Sequence, residues 1–208
     1  MLTAKSIKYS YDPINTFKFP DFSLDSTEGL LILGDSGVGK TTFLNILGGL
    51  LLPQSGLITL NGTNYTDLSN KDLDKFRGKN IGIIFQSSYF VNNLNLKDNL
   101  LFSLFLSKNQ QDENVVIELL NQVGLREKIY SKPNDLSQGE KQRASIALAL
   151  VKKPNLILAD EPTSSLDDNN CDLVVSLLKE QSQINNCKLI IITHDARLKK
   201  HFKNSIKL

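Results

Sequence analysis

Leu30-Leu31-Ile32-Leu33 is an uninterrupted apolar run that passes directly into Gly34-Asp35-Ser36-Gly37-Val38-Gly39-Lys40-Thr41. This junction constrains the fold more than any other stretch. A short run without polar alternation suits a strand buried on both faces, the habit of parallel sheets covered by helices. The octapeptide fits G-x-x-x-x-G-K-[ST] completely, and Thr41 to Leu50 reads as a helix stopped by Gly48-Gly49 and Pro53. Strand, glycine loop and helix in that order make a phosphate cradle. The glycines let backbone N–H groups turn inward around a β-phosphate, Lys40 sets a charge between the β- and γ-phosphates, and the Thr41 hydroxyl suits Mg²⁺. The ligand class expected is a nucleoside triphosphate, held by Gly34, Asp35, Ser36, Gly37, Val38, Gly39, Lys40, Thr41 and Thr42.

The rest of the chain alternates strand and helix. Ile7 to Tyr11 and Phe17 to Leu24 alternate like half-buried strands, and Gly56 to Gly62 reads as a strand entering a tight turn. Ile81 to Phe85, Leu156 to Ala159 and Leu189 to Ile192 are buried strands, the last two separated by a helix over Cys171 to Gln181. Between Ser87 and Asn134 the pattern turns helical, with Leu94 to Leu106 and Val115 to Val123, the latter closed by Gly124 as a C-cap. That stretch reads as a helical subdomain inserted at about 87–134 into a single domain spanning 1–208. A further helix runs from Glu140 to Val151, ended by Pro154, and the whole pattern predicts a mostly parallel sheet covered on both faces.

Three more segments carry chemistry. The strand Leu156 to Ala159 ends in Asp160-Glu161. An Asp at the carboxyl end of a strand beside the phosphate loop lies where Mg²⁺ needs an oxygen, and Glu161 one residue on can take a proton from an attacking water. Ile192-Thr193-His194-Asp195 ends another strand at the edge where ligands of open α/β sheets gather, so His194 can donate to a γ-phosphate oxygen; His201 has no such context. Leu136-Ser137-Gln138-Gly139-Glu140-Lys141-Gln142-Arg143 starts a helix. Ser137 and Glu140 have capping-box spacing, and the same helix start, with a hydroxyl and a glycine, can bind an anion; taken alone the two readings are balanced.

Composition limits the partners. The net charge is +2, from 24 basic and 22 acidic residues, which leaves no electrostatic footprint for nucleic acid. Cys171 and Cys187 lack metal-ligand spacing and suit a reducing cytosol. No apolar run is long enough to span a bilayer and the N-terminus shows no signal-like region, so the expected location is cytoplasmic and any membrane role would come through a partner.

In order, Gly34 to Thr41, Gln86, Leu136 to Glu140, Leu156 to Glu161 with Ser165-Leu166-Asp167, and His194 resemble the motif set of the ATP-binding subunits of ABC transporters, and the resemblance covers essentially the whole chain. Leu44 to Leu50 and the Leu136 octapeptide are similar to the branch of lipoprotein-releasing, macrolide-exporting and cell-division ATPases. The resemblance implies an α/β P-loop NTPase fold with a mostly parallel sheet core, an N-terminal antiparallel β subdomain and an inserted α-helical subdomain. It implies ATP and Mg²⁺ as cofactors, with Thr41, Gln86 and Asp160 at the metal and Glu161, Gln86 and His194 as catalytic residues. It also implies a head-to-tail homodimer, or a paired ABC subunit, sandwiching two ATPs. Ser137, Gln138 and Gly139 of one copy would then meet the ATP held by the other, and Asp167 would communicate across the interface. Tyr11, or Tyr9, would stack on adenine.

The implied partners are integral membrane transporter subunits, which would hold the chain at the cytoplasmic face of the inner or plasma membrane. Tyr89, Phe90, Val91, Leu94, Leu101, Phe102 and Phe105 offer apolar surface for docking, most of it expected in the core because helices bury such stripes, with Tyr89 to Leu94 as the candidate docking groove. Export or extraction of a substrate from the membrane is the expected work. A cell-division-type ATPase that signals without transport is the alternative, and a soluble translation or DNA-repair ATPase is disfavoured by the single cassette. Three positions depart from the family pattern: Gln138 stands where a second glycine is usual, Glu28-Gly29 replaces a Gly-Glu pair, and Ala147 to Leu150 lacks a common arginine.

Overall fold

Four apolar segments, each too short and too uniform to be an amphipathic helix, and one short edge segment assemble edge to edge into one parallel sheet. A computed structural model describes residues 1–12, 15–25, 27–164 and 166–208. In chain order the strands are β1 (Leu2–Ser10), β2 (Thr16–Lys18), β3 (Phe22–Leu24), β4 (Leu30–Leu33), β5 (Ser55–Leu60), β6 (Thr63–Asn64), β7 (Ile81–Ile84), β8 (Leu156–Asp160), β9 (Lys188–Thr193) and β10 (Ser205–Lys207). The helices are α1 (Lys40–Leu47), α2 (Asn70–Asn80), α3 (Leu96–Leu106), α4 (Glu113–Gln122), α5 (Gln138–Leu150) and α6 (Asp168–Ile184).

The parallel sheet has the order β10-β4-β9-β8-β7. Its alternate side chains enter two different cores. Leu31, Ile157, Ala159, Leu189 and Ile191 pack with residues of α3, α4, α5 and α6. Leu30, Ile32, Leu156, Leu158, Ile190 and Ile192 pack with α1 and the inner face of a second, antiparallel sheet. This is why continuous apolar runs read as strands here: both faces are dry. The second sheet has β1 at its centre, paired with β2, β3 and β5, and β6 completes it at the far side of β5.

The helices 96–106 and 113–122 lie in the segment expected to be helical, and they share one hydrophobic cluster with α5 rather than enclosing a core of their own. Gly124 has φ +70 just past α4, the left-handed cap anticipated from its position. The expected single strand over 17–24 is two strands instead, because Pro20 between β2 and β3 has no N–H for a ladder. Helix α2 and strand β10 carry little local signal. The polar helix α2 buries only Leu73 and so has no apolar stripe, although Ser69 accepts from Asp72 N and marks its start. The edge strand β10 is three residues long and acquires its identity only by pairing with β4.

Candidate functional site

The phosphate loop joins β4 to α1, so the carboxyl end of a central strand delivers it to the edge of the sheet. Its start is tied to the neighbouring strand, with Gly34 N donating to Thr193 O at 3.2 Å. Gly39, the residue before α1, has φ +94, and a Cβ there would fall 2.7 Å from Phe17 Cδ1. Both backbone and space therefore demand glycine. A cavity of about 670 Å³ opens over the loop, lined by Phe17, Asp35, Ser36, Gly37, Gly39, Lys40, Thr41, Thr42, Gln86, Glu161 and His194. That size accommodates a nucleotide-sized ligand.

The two adjacent carboxylates have different partners. Asp160 Oδ2 accepts a hydrogen bond from Thr41 Oγ1 at 2.9 Å, while its Oδ1 is buried with no hydrogen-bond partner. Burial pushes its carboxyl above the usual range, the Thr41 hydrogen bond opposes that, and the Glu161 charge adds to it. An orphaned carboxylate oxygen beside a threonine hydroxyl is a hard-oxygen set suited to Mg²⁺.

Glu161 is the most constrained side chain of the site. Its backbone has φ +49, a conformation uncommon for residues other than glycine. Its side chain is 8% exposed and is held from three sides. Thr193 Oγ1 donates to Oε2 at 2.6 Å, His194 N donates to Oε1 at 3.1 Å, and His194 Nδ1 lies 2.7 Å from Oε1. Lys40 Nζ stands 3.6 Å from Oε1 and also donates to Asp35 O at 2.8 Å. A buried carboxylate is tolerated when it is paired and hydrogen-bonded in this way. Nδ1 of His194 is thus engaged with Glu161, leaving Nε2 as the ring nitrogen open to a ligand.

Gln86 is exposed just past β7 and lines both the cavity and a second groove of about 430 Å³ with Ser88, Phe90, Asn134, Gln138 and Lys141 among its walls. The two expected adenine partners, Tyr11 and Tyr9, are not among the residues lining the cavity. Tyr11 is 63% exposed, stands edge-on to Phe17 at 6.4 Å, and its hydroxyl is 3.2 Å from Thr42 Oγ1, while Tyr9 packs edge-on against Tyr11. Phe17 is the aromatic ring lining the cavity; nothing in its local pattern distinguishes it from other strand aromatics. Thr193 was also unassigned by sequence, although it precedes His194 directly.

The signature segment caps α5 rather than entering this cavity. Ser137 Oγ accepts from Glu140 N at 3.3 Å and Ser137 N donates to Glu140 Oε2 at 2.8 Å, a complete capping box that holds the Glu140 carboxyl below its usual range, with help from Lys128. Ser137 and Gln138 are exposed, and a side chain added at Gly139 would meet nothing closer than Arg143 Nη1 at 3.7 Å. The chain's own packing therefore does not require a glycine there. Asp167 caps α6, accepting from Asn170 N at 3.0 Å and Asn170 Nδ2 at 2.6 Å, which holds its carboxyl below the usual range. Ser165, expected beside it, lies outside the described residues.

A model of the ABC transporter family matches residues 17–164. The lipoprotein-releasing system ATP-binding protein LolD of Colwellia psychrerythraea is 36% identical over 190 residues, which cover 90% of this chain and 74% of that protein. LolD of Buchnera aphidicola is 39% identical over 179 residues, covering 85% of this chain and 78% of that one. Among solved structures, the ATP-binding cassette MJ0796, a dimer in a post-hydrolysis state bound to ADP and Pi, superposes with a TM-score of 0.88 at 28% identity, covering 100% of this chain and 94% of that cassette.

Proposed function

The chain belongs to the ABC transporter family of ATPases, enzymes that bind and hydrolyse ATP, and from that premise we propose that it powers a separate membrane-spanning partner, exporting a substrate or extracting it from the membrane. One observation carries the hydrolytic part of this reading. Lys40, Glu161, His194 and Gln86, which come from four separate segments, line one cavity. ATP would lie with its phosphates on the loop 34–42, with Phe17 as an apolar wall and Tyr11 stacking on adenine. Lys40 would exchange its ion pair with Glu161 for the β- and γ-phosphates, freeing the Glu161 carboxylate to take a proton from water. Thr41, Asp160 and Gln86 would hold Mg²⁺, which supplies charge neutralisation of the phosphates when bound. Catalysis is then mainly positioning and preorganised electrostatics.

The signature residues support a head-to-tail homodimer, or a pair with a related ABC subunit. Ser137 and Gln138 are exposed at a helix N-terminus and neither they nor Gly139 line the chain's own cavity, so their anion-binding capacity is available to an ATP held by another subunit. Asp167 would stand at the same interface. No helix of the described residues is long and apolar enough to cross a membrane, so the transport path belongs to the partner, with this chain at the cytoplasmic face. The name of the LolD relatives favours release of lipoproteins as the class of work.

Glu161→Gln is the test. The variant should bind ATP, lose at least about 100-fold in turnover, the low end for removing a general base, and accumulate as an ATP-bound dimer in light scattering. Wild-type turnover in that variant overturns the assignment.

A further inference from the structure

Asp195 follows His194 directly, and its side chain is 10% exposed. Arg197, at the start of the 3-10 turn Ala196–His201, grips it with a fork: Nε donates at 3.0 Å to each carboxylate oxygen and Nη2 donates to Oδ2 at 2.7 Å. The other side of the same guanidinium reaches the segment before α6. Nη1 donates to Asp168, and Nη2 lies 3.4 Å from the Leu166 carbonyl. Thr163 Oγ1 adds a bond to Asp195 Oδ2 at 3.2 Å. Asp167 sits between the two gripped residues, and both its carboxylate oxygens hold Asn170. Asn170 lies beside the start of α5: a Cβ placed on Gly139 would stand 3.9 Å from Asn170 Oδ1. Hydrogen bonds thus run from the end of β9 through Arg197 to the first turn of α6, which lies next to the start of α5.

We propose that Arg197 is a positioning residue for hydrolysis: it locks the segment Leu166 to Asp168 to the residue beside His194, so that occupation of one nucleotide cavity is transmitted to the signature helix that serves the other. This rests on the head-to-tail reading above, in which His194 and Ser137 of one chain face different ATPs. A purely local role for Arg197, stapling its own turn to Asp195, needs no bond to Asp168. Asp168 is 85% exposed, and an ion pair so exposed adds little stability, so its value lies in geometry. The planar fork is what allows one side chain to hold Asp195, Asp168 and a carbonyl together; an ammonium cannot.

ATPase rate against ATP concentration in wild type, Arg197→Ala, Asp168→Asn and the double variant tests this. Wild type should show a Hill coefficient above 1. Each single variant should move it toward 1 and lower kcat about 5–10-fold, within the usual range of coupling between sites. The double variant should be no worse than Arg197→Ala, because both changes cut the same link, and Arg197→Lys should recover only part of the loss. A wild-type coefficient of 1, unchanged cooperativity in the variants, or single effects that multiply in the double overturns the proposal. If Arg197→Ala does not fold, Asp168→Asn, at an exposed site, decides alone. Light scattering of Glu161→Gln with ATP separates the two levels. No dimer there sinks the head-to-tail reading and this proposal with it, whereas a dimer with unchanged cooperativity in the variants sinks this proposal only.

Discussion

Asp160 and Glu161 are neighbours in sequence and opposites in environment. Glu161 has three hydrogen-bond donors and a lysine around it, while Asp160 keeps one buried oxygen without a partner. An unsatisfied buried polar atom costs about 1–3 kcal/mol. Asp160→Asn keeps a polar atom there but removes the buried charge, so it should stabilise the ligand-free protein at neutral pH and lose the stabilisation that Mg²⁺-ATP gives wild type. The sign follows from the raised carboxyl: its charge opposes folding above the ordinary carboxylate range, so the gap between variant and wild type should close as pH falls below that range. Melting curves with and without Mg²⁺-ATP, repeated across pH, check both parts. At this scale the sequence made the acid pair legible, because a strand's end and a phosphate loop are local patterns. It did not reveal Thr193 or Phe17, because what matters about each is what it touches.

Helix α5 shows how one element carries two readings at once. Its capping box is complete, and an N-cap serine is worth about 1 kcal/mol, so Ser137→Ala should lose roughly that stability. Gly139→Ala should behave differently. The position meets no close neighbour, and alanine favours helix over glycine, so stability should hold or rise slightly. Both variants should nevertheless lose turnover, since both alter the surface offered to a second ATP. Urea unfolding set beside turnover separates the two effects; full activity in Gly139→Ala would remove the case for a trans contact. Elements whose caps or glycine stops accompany an apolar stripe were readable in this way. Helix α2 was not, because one buried leucine makes no stripe, and β10 was not, because an edge strand is defined by its neighbour.

Across the whole molecule, the parallel sheet divides two cores and brings the ends of β4, β8 and β9 to one edge, so residues far apart in the chain meet over the phosphate loop. Gln86 links that edge to the groove beside α5, and the segment next to it is exposed yet anchored. Tyr89 is 71% exposed, while Asn99, itself buried, binds Val91 N, Val91 O and Leu94 O. This anchored ledge with exposed apolar side chains is where the membrane partner proposed above would dock. Tyr89→Asp with Val91→Asp should leave ATP turnover of the isolated protein within about twofold, as exposed substitutions rarely disturb a fold, and should abolish co-purification with the membrane partner. Unchanged co-purification refutes the ledge.

By itself the sequence determined the glycine loop between strand and helix, the caps at Ser137 and Gly124, and most of the order of strand and helix, because each depends on backbone conformations fixed within a few residues. Tertiary structure decided the rest. The Thr41–Asp160 bond closes across 119 positions and the grip on Glu161 across 32 and 33, distances over which only packing of the sheet chooses partners. The same packing made Phe17 the cavity's aromatic wall and turned Arg197, silent as a residue in a polar stretch, into the contact between two loops.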